Sequence, residues 1–185
     1  MWNKLHTGEY EGMLAETVTI SGHDDKRINA YFSRPLGAGP YPSIVIISHM
    51  PGWDEWCRET ARRFSQHGYL AVCPDIYQDF GQGTPEEVST KMRAEGVVHD
   101  SSVMGDCKGS MEYLKSLAYS NGQVGVIGMC SGGRHAFLAA CTVDGFDAVV
   151  DCWGGGVVAS EDQLTPARPV APIDYTSQLS CPLLG

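Results

Sequence analysis

The chain reads as an α/β protein, with a doubly wound, mostly parallel sheet behind an N-terminal β-hairpin. Three observations predict it. Short apolar runs at 43–48, 69–73, 124–127 and 148–152 alternate with segments of helical character, the pattern of a parallel sheet covered on both faces. Ahead of them, 16–20 and 28–33 alternate apolar and polar residues around Gly22-His23-Asp24-Asp25, as two half-buried strands joined by a turn do. Last, Gly128-Met129-Cys130-Ser131-Gly132 follows an apolar run directly and has the small-x-nucleophile-x-small form of a tight strand-to-helix turn.

Each element has its own signal. The Gly- and Pro-rich stretch 35–42 is a loop. The continuous β-branched run 43–48 is a strand buried on both faces, broken by His49-Met50-Pro51-Gly52. Asp54 caps a helix that runs to about His67 and stops at Gly68. The run 69–73 is the next strand, ended by Pro74-Asp75. Residues 76–100 read as polar and irregular, although Thr84-Pro85-Glu86-Glu87 is a helix start with a cap, a first-position Pro and acids in the first turn. Val103, Met111, Leu114 and Leu117 give 102–117 helical spacing, weakened by Gly105 and Gly109. A strand (124–127), a helix (132–141) and a strand (148–152) follow. The segment 179–185 resembles the approach to a further buried strand, so the reading is one domain over 1–185 that lacks its C-terminal strands and helices.

Bulk properties narrow the function classes. The sequence has 185 residues, 43% apolar and 19% charged, with a formal net charge of −9. That balance argues against nucleic-acid partners and anionic membrane surfaces. The seven cysteines include no C-x-x-C pair and their number is odd, which points away from a disulfide framework or a zinc site and toward a reducing, cytoplasmic setting. Residues 1–12 carry no apolar run of signal-peptide length.

Cys130 is the leading chemical candidate. At the apex of such a turn the residues two before and two after must be nearly free of side chain, and Gly128 and Gly132 meet that need. Ser131 fails it, because Met129 would be its preceding partner. The positive end of the following helix then points at the sulfur. A dinucleotide loop is excluded, since no G-x-G-x-x-G follows the strand.

These residues, taken in order, resemble the dienelactone hydrolase (carboxymethylenebutenolidase) family of the α/β-hydrolase fold over roughly residues 15–185. The resemblance rests on 43–47 with its loop to Gly52, Arg58-Glu59-Thr60, Gly68-Tyr69, Ala71-Val72-Cys73-Pro74-Asp75-Ile76-Tyr77, Gly105-Asp106, and the cysteine turn itself. It implies hydrolysis of small esters or lactones by a thiolate, with Cys130 as nucleophile and no cofactor or metal. It also implies an oxyanion hole from the backbone N–H groups of Ser131 and, by matched position, Met50.

Two departures from the family stand out. His49 occupies a loop position where well-known members carry Glu, and is a possible thiol partner, unless it only caps the strand or packs on Trp53. The triad acid and histidine, which follow the nucleophile in this fold, are expected outside 1–185. The one later histidine, His135, is five residues on, about 140° around the same helix, and is expected to pack. Asp75 is expected to form structural hydrogen bonds. Trp53, Trp153 and Arg93 are candidate substrate-pocket residues. The alternative is a hydrolase-fold chain without activity. Oligomeric state is not legible.

Overall fold

The computed structural model describes residues 12–96 and 98–185; most of the polar opening segment read above lies outside them. The strands are β1 (Met13–Ser21), β2 (Arg27–Pro35), β3 (Tyr41–Ile47), β4 (Leu70–Pro74), β5 (Ser120–Met129), β6 (Ala148–Cys152) and β7 (Leu183–Leu184). The α-helices are α1 (Glu55–Gln66), α2 (Pro85–Glu95), α3 (Asp100–Ser116) and α4 (Ser131–Thr142). The seven strands form one sheet in the order β1-β2-β4-β3-β5-β6-β7. The β1–β2 hairpin joins antiparallel at β4, and every pairing from β4 to β7 is parallel.

Alternation along the central strands divides the core in two. Val45 and Ile47 of β3, Leu70 and Val72 of β4, and Val124 and Val126 of β5 face α3 and α4. Ile44 and Ile46, Ala71 and Cys73, and Met129 face α1. Successive strand residues point to opposite faces, and with helices on both sides each face must be apolar. This is why these strands are continuous apolar runs rather than alternating ones.

Two readings of the sequence change. Residues 76–100 are largely ordered: Gln78–Phe80 is a single 3-10 turn, and α2 fills Pro85–Glu95. Thr84 and Glu87 close a reciprocal capping box at its start. Only Ser89 and Met92 of α2 are buried, so the helix leaves almost no apolar period in the sequence. The segment 179–185 supplies β7, a two-residue strand that is not buried as expected, since Leu184 is 67% exposed. Val149 and Val150 pair with Leu183 and Leu184, and among the described residues β7 is the last strand of the sheet.

Candidate active site

The turn at Cys130 follows from steric necessity. A Cβ on Gly128 would overlap the carbonyl oxygen of Gly132, and one on Gly132 would overlap that of Ile47. With those positions bare, β5 turns directly into α4. Cys130 caps the helix at φ 55° and ψ −118°, a conformation that is costly for a non-glycine residue. Its N–H donates to the Cys152 carbonyl at 3.0 Å, and its own carbonyl accepts from Gly133 N–H at 3.0 Å. The side chain is exposed. Ser131 holds the first position of α4, where an N–H has no intrahelical acceptor.

The loop after β3 lies alongside. Ile47 is level with Gly128 in the parallel register, and the carbonyls of Ile47 and Ser48 lie against Gly132, where the loop 48–54 begins. Ser48 is fully buried, and its hydroxyl has no hydrogen-bond partner among the described residues. Met50 packs against the main core. His49 does not pair with Cys130: its Nε2 lies 3.2 Å from Asp54 Oδ2. Its ring meets Trp56 edge-on at 5.5 Å, rather than Trp53. Asp54 accounts for the choice, because it caps α1 at the end of the same short loop and holds its carboxylate there.

Beyond the loop, Asp75 accepts a hydrogen bond from Tyr77 N–H at 3.2 Å, and its own N–H donates to Asn29 at 2.8 Å. Burial pushes its carboxyl up to about 6. The Tyr77 hydroxyl reaches Ser131 Oγ at 3.5 Å, with either hydroxyl able to donate, and burial raises the Tyr77 hydroxyl to about 12. Asp147 accepts from Val124 N–H at 2.7 Å and Asp151 from Gly154 N–H at 2.8 Å. Both carboxylates therefore serve the backbone.

The dienelactone hydrolase family profile matches residues 28–185. The chain belongs to the dienelactone hydrolase family. It is 34% identical over 134 residues to the carboxymethylenebutenolidase of Pseudomonas putida, covering 69% of this chain and 56% of that one. It is 30% identical over 182 residues to a Methylorubrum extorquens protein named "Putative carboxymethylenebutenolidase", covering 94% of this chain and 59% of that one. The chain thus spans less than three-fifths of the length of either relative. Among solved structures, the "Putative Dienelactone Hydrolase" of Klebsiella pneumoniae superposes with a TM-score of 0.81 at 28% identity, covering 94% of this chain and 72% of that one.

In this member of the dienelactone hydrolase family the other pocket candidates scatter. Trp53 lines a cavity of about 440 Å³ with Pro51, Arg58, Asp75 and Tyr77. Its Nε1 donates to the Cys73 carbonyl at 2.8 Å, and Arg58 stacks on its ring. Trp153 is 73% exposed and borders a separate apolar groove with Trp56, Phe64, Ile127 and Met129. Arg93 sits exposed in the last turn of α2 and lines neither. At the end of a helix its charge suits the carbonyl-rich terminus.

One buried polar group escaped the sequence reading. Arg134 donates to both oxygens of Asp100, at 2.6 and 2.9 Å, and His135 Nε2 lies 3.2 Å from Asp100 Oδ1. Burial would raise Asp100, but the hydrogen bonds from His135 and Arg134 outweigh it and hold the carboxyl low. Burial lowers His135. His135 is therefore a partner of Asp100 in the interior rather than a simple packing residue. Asp100 lies 34 residues before Arg134 on a different helix, and no local pattern links them.

Proposed function

We propose that the chain is the nucleophile-bearing part of a cysteine hydrolase that acts on small esters or lactones. The observation that carries the reading is Cys130, an exposed thiol held at positive φ on the first turn of a helix, between two glycines that admit no side chain. Family membership supports the same reaction class.

In the proposed reaction Cys130 Sγ, as the thiolate, attacks the ester carbonyl. The carbonyl π electrons move onto oxygen, which accepts hydrogen bonds from the N–H groups of Ser131 and Met50. Collapse of this intermediate expels the alkoxide or phenoxide and leaves a thioester on Cys130. Hydrolysis of the thioester needs a base to take a proton from water. His135 is buried against Asp100, and among the described residues no hydrogen bond joins His49, which faces Asp54, to Cys130; we propose that the triad acid and histidine lie outside residues 1–185. Trp53 and Trp153 remain candidates for contacts to substrate; Arg93 does not.

Mixing the chain with p-nitrophenyl acetate tests this. Its leaving group departs as the phenolate without protonation. The expected result is a burst of about one p-nitrophenolate per chain, acetyl mass on Cys130, and no sustained turnover. Cys130→Ser abolishes the burst. An absent burst, together with slow iodoacetamide labelling of Cys130, would identify an inert hydrolase-fold chain. Sustained turnover would show that a histidine within 1–185 completes the site.

A further inference from the structure

We propose that His49, Asp54 and Cys57 form a binding site for a divalent transition metal of the zinc class. The three residues lie on the loop after β3 and the first turn of α1. One donor atom from each lies within 4.8 Å of the other two. Bonds of about 2.0–2.3 Å in a tetrahedral site place ligand atoms about 3.3–3.8 Å apart. The His49–Asp54 separation of 3.2 Å already approximates such an edge. Imidazole nitrogen, carboxylate oxygen and thiolate sulfur together are the donor set of a borderline-soft ion, not of magnesium or calcium.

The arrangement is oriented in advance. Asp54 divides its carboxylate, with Oδ1 accepting the Cys57 N–H at 3.1 Å as the helix cap and Oδ2 turned to His49. The edge of Trp56 steadies the imidazole. Cys57 is fully buried, whereas the His49 and Asp54 side chains are 27% and 26% exposed, so an ion enters from the loop side and meets the thiol beneath. Cys57 and Cys73 are both fully buried and pack in the same apolar cluster beneath the loop. Binding forms a metal–sulfur bond and releases the Cys57 thiol proton to solvent. A divalent ion then balances one thiolate and one carboxylate beside a neutral imidazole. Metal held here would clamp the loop that carries Met50.

Titration of the chelator-treated chain with Co²⁺ tests the site without reference to catalysis. The expected result is a near-ultraviolet thiolate-to-cobalt charge-transfer band that saturates at about one ion per chain, with d–d bands of tetrahedral intensity, all bleached by Zn²⁺. Cys57→Ser removes the charge-transfer band, and Cys130→Ser leaves it intact. Asp54→Asn keeps a capping side chain but weakens binding by about tenfold or more. Should Cys57→Ser fail to fold, His49→Ala on the partly exposed loop carries the same expected loss of binding. No band on the parent chain, a band that survives Cys57→Ser, or one that disappears in Cys130→Ser would overturn the proposal.

Discussion

Asp75 shows how one side chain can be placed against its own chemistry. Its carboxyl lies where β4 ends and is largely removed from water, which raises it to about 6. The folded state therefore holds this proton more tightly than the unfolded chain does. The stabilisation is fully present below about pH 4 and is lost as pH rises through about 6. Asp75→Asn keeps an oxygen to accept the Tyr77 N–H and cannot ionise. We expect the variant to exceed the parent in stability by about 1–3 kcal/mol at pH 7.5, a figure reduced for partial solvent contact. The gap closes by about pH 4, and urea midpoints across pH are the measurement. A constant gap would show that ionisation of Asp75 is not responsible. The position of Asp75 at a strand end was legible, because Pro74-Asp75 closes an apolar run. Its burial was not, since that depends on Lys26, Ile28, Val98, His99, Ser102 and Asp106 arriving from elsewhere in the chain to line a second cavity with it.

Helix α3 carries the clearest conflict between local preference and packing. Gly105 and Gly109 weaken it as an isolated helix, and the sequence supplies no reason for them. The fold does. A Cβ on Gly109 would overlap the Ser21 carbonyl, where α3 crosses the end of the hairpin, and one on Gly105 would press on His23. Gly109→Ala gains about 1 kcal/mol in helix propensity, but the clash is with backbone that cannot rotate aside. Overpacking of this kind costs about 1–3 kcal/mol, so we expect net destabilisation in a denaturant titration. An unchanged or raised midpoint would refute the close crossing. Where an element's own signals agree, it was readable: Asp54 caps α1, Thr84 caps α2, and β6 occupies Ala148–Cys152 as expected. Helix α2 was visible at its start but not along its length, because a helix with two buried residues leaves no period to find.

Over the molecule as a whole, α1 covers one face of the sheet and α3 and α4 the other. Beside α1 lies an apolar groove of about 330 Å³, bordered by Trp56, Phe64, Ile127, Met129 and Trp153. Leu184, on the open edge of β7, is 67% exposed. Exposed apolar surface next to an unpaired strand edge promotes self-association. We expect the 185-residue chain to associate with rising concentration in sedimentation velocity. The combined Trp153→Ser and Leu184→Lys variant should shift it toward monomer with its circular dichroism unchanged. A parent chain that stays monomeric at all concentrations would remove this reading. Among the described residues no helix is long and apolar enough to cross a membrane.

The sequence by itself determined most of the sheet and helix elements, the body of α2 excepted, and the cysteine at the sharp turn. These are written in short-range periods, caps and glycine spacing, where each signal acts within a few residues. Tertiary structure alone decided the partners. It drew His49 to Asp54 rather than to Cys130, joined Arg134 and His135 to Asp100, and packed Cys73 into one cluster with Cys57. Such pairings depend on which strand lies beside which and on how much water is excluded between them, and neither quantity is encoded in the spacing of residues along the chain.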